Sequence, residues 1–245
     1  MHEVKEAPIA KVSNPTVTDS KTAATPIGKR KLASQKARSF FEELWKRGDP
    51  WDIETADFEQ RRCARLLQIL SARRYAKALE IGCATGAFTR LLARVAERLV
   101  ALDISPTAIA CARKTWAGSN ATEFQVANII EYDPRAEGPW DLVVMSDMIY
   151  FLGWLYPFFD VAWLAMELFA ATSLGGQLLL ANCYGGAEDY LMRPSLIRTY
   201  RDLFVNVGYQ VNNEEVFHGT KKGVEIQVLI TLFEKKTEET PPGGR

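Results

Sequence analysis

The chain has 245 residues, with 30 basic and 30 acidic side chains and a formal net charge of zero. Without a broad positive field, nucleic acid is not the partner to expect, and with only two histidines a histidine-based metal site is excluded from the expectations. The four cysteines, Cys63, Cys83, Cys111 and Cys183, form no CxxC pair and read as buried free thiols of a reducing compartment.

Residues 1–34 hold Pro8, Pro15 and Pro26 and almost no large apolar side chains, so the expectation is a disordered tail. The first residues lack the apolar core of a signal peptide. The most apolar stretch, Met145 to Thr172, is interrupted by Asp147, Asp160 and Glu167, which a bilayer would not tolerate cheaply. A cytoplasmic protein without a membrane partner is expected.

From Ser39, the pattern Phe40, Phe41, Leu44, Trp45 predicts a short amphipathic helix ending at Gly48. Asp49 to Asp52 reads as a turn, and Thr55 to Leu70 as a second helix with Cys63, Leu66, Leu67 and Leu70 on one face. Strand and helix then alternate. Strands are predicted at Lys77–Ile81, Leu99–Leu102, Glu123–Val126, Trp140–Ser146 and Gln177–Ala181. Helices are predicted at Ala87–Ala96, from Ser105-Pro106 to Trp116, at Leu155–Ala171 and at Ser195–Val207. Gly175-Gly176 reads as a turn. Two last strands, Tyr209–Phe217 and Val224–Phe233, are joined by His218–Gly223, which is too short for a crossover helix, so they must be antiparallel neighbours. The expected fold is α/β: a Rossmann-like, seven-stranded, mostly parallel sheet with a C-terminal antiparallel hairpin and helices on both faces.

The segment Ala78-Leu-Glu80-Ile-Gly82-Cys83-Ala84-Thr-Gly86 sits where the first strand hands over to a helix. In an open α/β sheet that is the carboxyl edge, where ligands bind. Gly82 and Gly86 allow a sharp turn and a close approach of backbone to ligand. Asp103 ends the second strand, about 20 positions after the loop, where an acid can accept hydrogen bonds from ribose hydroxyls. A dinucleotide-binding dehydrogenase would want glycine at position 84, and its pyrophosphate would be repelled by Glu80. A nucleoside carrying a sulfonium and an ammonium would be favoured by the same carboxylate. Asn128, after the third strand, offers a donor and an acceptor to an adenine edge. The loop Ser146–Phe151, after the fourth, should face the reacting group.

These residues resemble the class I S-adenosylmethionine (SAM) methyltransferases and, more narrowly, the nodulation protein S (NodS) group. The likeness covers residues 40–182. It rests on Asp49-Pro50-Trp51, Phe58-Glu59-Gln60-Arg61-Arg62, Ala78–Thr89, Leu102–Ala108, Trp140–Val143 and Ser146–Leu152. The resemblance implies a SAM-dependent N-methyltransferase acting on an amino sugar, with S-adenosylhomocysteine as the product. It implies cofactor contacts from Glu80, Gly82, Gly86, Asp103 and Asn128, with the Trp51–Glu59 segment, Phe58 included, covering the cofactor. The neighbours Cys83, Ala84, Ile104, Ile129 and Ser146 complete the expected binding set. The domain would run over 35–236, with 35–75 as a helical cap and 237–245 as a second disordered tail. The chain departs from the family pattern at Ala84, Asn128 and Asp147.

An amine acceptor must arrive neutral, and Asp147 and Tyr150 are the candidates to take its proton. Trp51, Tyr150, Phe151, Trp154, Tyr156 and Tyr184 crowd the same edge and suit a sugar ring or a flat natural product. A small-molecule O-methyltransferase and a non-catalytic SAM or nucleotide binder are the alternative readings. His218 is expected at the surface of the last turn.

Overall fold

Short apolar runs alternate with helices, and in the computed structural model they wind into one seven-stranded sheet; the structure describes residues 27–117, 121–185 and 190–236. In chain order the elements are α1 (Ile27–Trp45), α2 (Asp57–Leu70), β1 (Tyr75–Ile81), α3 (Thr89–Leu92), β2 (Ala96–Asp103), α4 (Pro106–Thr115) and β3 (Ala121–Val126). Then follow α5 (Pro134–Glu137), β4 (Trp140–Ser146), α6 (Ile149–Leu155), α7 (Phe158–Ala171), β5 (Thr172–Cys183), α8 (Pro194–Asn206), β6 (Gln210–Lys221) and β7 (Val224–Glu234). The strand order is β3-β2-β1-β4-β5-β7-β6. β1 to β5 pair in parallel, while β7 pairs antiparallel with both β5 and β6. From β1 the sheet grows towards β3 on one side and towards β6 on the other. That reversal leaves a crevice at the carboxyl ends of β1 and β4, where open α/β sheets bind their ligands.

Side-chain alternation sends neighbouring residues of each strand to opposite faces. Leu79, Ile81, Val143, Met145, Leu178 and Leu180 pack against α7 and α8. Ala78, Leu142, Val144 and Leu179 pack against Phe58, Leu66 and Leu70 of α2 and Leu92 of α3. Both faces of the central strands are therefore dry, which explains their nearly unbroken apolar sequence. Leu79, Val143 and Leu178 are fully buried, so truncating any one to alanine costs about 2–5 kcal/mol.

Several expectations need correction. α1 begins at Ile27, inside the segment expected to be a disordered tail, and Ser34 lies on its buried face. Residues 1–26 and 237–245 lie outside the described residues. The helix expected over Ala87–Ala96 is the single turn α3, because the Val95 carbonyl accepts from Tyr75 N and Ala96 pairs with Tyr75 as the start of β2. The long helix expected from Leu155 is broken at Tyr156, whose extended backbone is what a following proline favours. Gly175-Gly176 lies inside β5, at a register irregularity. β6 runs on to Lys221, so His218 sits in a strand opposite Gln227 rather than in a turn. The hairpin is closed by Lys222 and Gly223 alone, both with positive φ, the tight turn that suits twisted strands. Cys111 faces solvent on α4, unlike the expectation for all four thiols.

Candidate active site

The loop between β1 and α3 is held by its own backbone. Gly82 N and Cys83 N both donate to the Leu102 carbonyl, at 2.8 and 2.9 Å, which folds the loop back over the end of β2. Gly82 has φ +78°, and a Cβ there would lie 2.4 Å from Met148 Sδ, so a side chain would strain the backbone and displace Met148. Ala84 also has positive φ, 51°. Its N–H donates to Asp103 Oδ2 at 3.0 Å, while Ser105 N donates to Oδ1 at 2.9 Å.

Glu80 and Asp103 are buried, 4% and 9% exposed. Glu80 accepts a hydrogen bond from Thr89 Oγ1 at 2.6 Å. Among the described residues no cationic side chain pairs with either carboxylate. Burial pushes Glu80 up to about 8, against the Thr89 hydrogen bond and with help from the Asp103 charge. Burial likewise pushes Asp103 up to about 6, although three backbone N–H groups favour its anion. Both acids line one cavity of about 450 Å³, a size typical of small-ligand sites.

The cavity gathers most of the expected residues: Trp51, Phe58, Gly82, Cys83, Ala84, Ile104, Asn128, Ile129, Ser146, Asp147 and Tyr150 all line it. Gly86 does not. A Cβ there would sit 3.3 Å from Ala112, so Gly86 lets the loop pack closely on α4. Asn128 reaches the wall, but both of its amide hydrogens are committed, to Ser34 Oγ at 3.0 Å and Tyr156 Oη at 2.8 Å. Its Oδ1 accepts from Ile130 N. The side chain expected to read an adenine edge instead ties α1 and α6 to the end of β3. Trp154 is 44% exposed, and Tyr184 lies beneath Arg198; neither lines the cavity. The thiols of Cys63, Cys83 and Cys183 do, and burial pushes Cys63 up to about 11, so it is a neutral wall.

Asp147 has both oxygens engaged. Oδ1 accepts from Cys183 N at 2.8 Å, and Oδ2 pairs with Arg62 Nη1. The other arm of Arg62 reaches Glu59 Oε2 at 2.7 Å, and Glu59 Oε1 meets Lys221 Nζ at 2.5 Å. Lys221 also donates to the Trp51 carbonyl. This buried chain of alternating charge joins α2, the loop after β4 and the β6–β7 hairpin. The sequence pattern did not single out Arg62, Glu59 or Lys221 for it, since the partners lie up to 162 positions apart. The one visible signal was a charged run inside an amphipathic helix.

The roof is α1. Ala37, Phe41 and Trp45 face the cavity, and Phe41 packs edge-on against Phe151 at 5.0 Å. Glu42 accepts from Ser105 Oγ and Thr107 Oγ1, both at 2.6 Å, at the start of α4. Glu54, in the turn after α1, accepts from Thr85 Oγ1 at 2.6 Å and pairs with Arg90, which clamps the cap onto the glycine loop.

This sheet order, with a glycine loop after β1 and an acid after β2, is the Rossmann-like fold of the SAM-dependent methyltransferases. Residues 34–155 match the model of the family described as Nodulation protein S (NodS). Nodulation protein S of Sinorhizobium fredii is 36% identical over 105 residues, 42% of this chain and 48% of that protein. Nodulation protein S of Rhizobium tropici is 32% identical over 145 residues, 58% of this chain and 56% of that protein. The chain thus spans about half the length of the curated relatives it matches. Among solved structures, N-methyltransferase NodS from Bradyrhizobium japonicum WM9 in complex with S-adenosylhomocysteine superposes with a TM-score of 0.66 at 22% identity, covering 83% of this chain and 98% of that one. Magnesium protoporphyrin IX methyltransferase from Synechocystis PCC 6803 gives 0.60 at 16% identity, covering 82% and 99%. These likenesses show the fold.

Proposed function

We propose that the chain is a SAM-dependent methyltransferase that methylates a small acceptor, in the first place an amine of an amino sugar or glycoside. The observation that carries this reading is the pair of buried carboxylates, Glu80 and Asp103, facing one cavity without a cationic partner among the described residues. A buried acid of this kind is stabilised by a ligand that brings positive charge and hydroxyl donors. SAM brings an ammonium, a sulfonium and two ribose hydroxyls, so the donor set fits. Gly82 supports the fit, because a close backbone approach is possible only where no Cβ intervenes.

When bound, SAM supplies a methyl group already activated by its sulfonium. The protein's share is alignment and exclusion of water. Glu80 and Asp103 would hold the amino and ribose groups, with Ala84, Ile104 and Ile129 as the apolar wall. Trp51, Phe41 and Phe151 shield the cavity from solvent. Asp147 and Tyr150 would flank the acceptor. Taking up a proton would cost Asp147 its Arg62 partner, so its first task is to hold the loop after β4 in place. Tyr150 also faces the cavity and would receive a hydrogen bond from an incoming amine.

The test is release of S-adenosylhomocysteine over a panel of amino sugars, their N-acetylated counterparts and simple phenols. Turnover with free amino sugars alone supports the reading. Turnover only with hydroxyl acceptors would move it to O-methylation, and tight SAM binding with no turnover on any acceptor would leave a cofactor-binding protein.

A further inference from the structure

Helix α7 has the sequence FFDVAWLAMELFAA, apolar on every side. Its inner face, Val161, Leu164, Ala165, Leu168 and Ala171, is buried against the sheet. Its outer face carries Phe159, Trp163 and Met166 at helical spacing, with Phe158 beside them. Phe158, Phe159 and Met166 are exposed over half their surface, at 54%, 52% and 51%. Phe159 stacks on Trp163 with ring centroids 6.2 Å apart, which makes a preformed flat element. The helix's two charged residues do not break this face. Asp160 is turned inward and is 2% exposed, and Glu167 is drawn sideways to Arg135 at 2.9 Å. A helix that is hydrophobic all round is one that is covered on both sides.

The cover must come from outside the described residues, and the rest of the chain is a poor source. Residues 1–26 contain no aromatic residue and no leucine, and residues 237–245 contain no large apolar residue at all. A bilayer surface fits no better, because helices that lie in it carry Lys and Arg along their polar face, and α7 has neither. A second copy of the chain does fit. The stripe is uncharged, so it meets its own image without repulsion, and a two-fold contact needs one self-complementary patch. At about 200 Å² per large side chain, these residues leave roughly 400 Å² of apolar surface open. That amounts to the core of an interface of about 800 Å² per partner. Arg135 and Glu167 would form its polar rim.

We propose that the chain forms a two-fold homodimer through α7, with the Phe159–Trp163–Met166 stripe of one copy packed on that of the other. This proposal is independent of the methyl-transfer reading. The test is sedimentation velocity on the full chain from ~1 to ~100 µM, a range that spans ordinary dimer affinities. The expected result is a species of twice the chain mass that dissociates on dilution, and a Phe159→Glu/Met166→Glu variant that stays at single-chain mass with unchanged circular dichroism. Should that variant fail to fold, Met166→Lys alone is expected to weaken the dimer at least tenfold. A wild-type chain of single mass at every concentration, or a dimer untouched by these changes, would overturn the proposal. So would a monomer whose stripe is covered only by a different protein.

Discussion

Among the described residues, Glu80 and Asp103 face the cavity without a cation, whereas Glu59 and Asp147, facing the same cavity, are bound to Arg62 and Lys221. All four are acids, and the difference lies in what surrounds them. The first pair sits at the tips of β1 and β2, where burial raises both pKa values by more than their hydrogen bonds lower them. The second pair belongs to a neutral chain of alternating charge that staples α2 and the last hairpin to the loop after β4. An unpaired buried acid marks a place for a ligand, and a paired one marks a brace.

The comparison breaks most visibly at Arg62. Arg62→Met should leave Asp147 without a cation and Glu59 with Lys221 alone, and lower the unfolding free energy by about 3 kcal/mol, read from urea denaturation. An unchanged midpoint would show that the brace bears no load. Next comes Asp103→Asn, which keeps the shape but loses the charge. SAM affinity should fall by about 1.5–3 kcal/mol, or roughly ten- to a hundredfold in Kd by calorimetry, while the fold survives.

Glu80→Gln should act through pH. The Glu80 pKa is raised in the folded protein, from an ordinary 4.5 to about 8. Its stabilising contribution is therefore complete below about 4.5 and is lost as pH rises through about 8. Asp103, raised from 3.8 to about 6, adds the same trend over a lower window. The ligand-free protein should melt at lower temperature at pH 8.5 than at pH 5.5, and Glu80→Gln should flatten most of that slope. Equal slopes in the two proteins would show that Glu80 is not the group responsible. The smallest effect belongs to Lys222, three-quarters exposed and paired with Asp52 at the hairpin tip. Lys222→Ala should leave melting temperature and SAM affinity unchanged, since surface pairs contribute little.

Glu80, Gly82 and Asp103 stood out in the sequence because they belong to two short strand-to-loop segments, and the structure brings them to one cavity. The brace did not stand out, because Arg62 meets Asp147 across 85 positions and Glu59 meets Lys221 across 162. The mostly parallel sheet with its antiparallel end followed from alternating periods and the short last connection, whereas the strand order did not. Helix α3 was overestimated because pairing of Ala96 with Tyr75 overrides local helix preference. The bonds of Asn128 were not legible for a related reason: Ser34, in a segment expected to have no structure, takes one of its amide hydrogens. Gly86 reads as a ligand glycine in the sequence, and the structure sets it close against Ala112 of α4.

The most direct test is calorimetry of SAM binding near pH 7 in two buffers of different ionisation enthalpy. If Glu80 gives up its proton to meet a cationic ligand, binding should occur with net proton release in the wild type and without it in Glu80→Gln. No association with SAM by the folded wild-type protein, or association with no proton exchanged, would contradict the account.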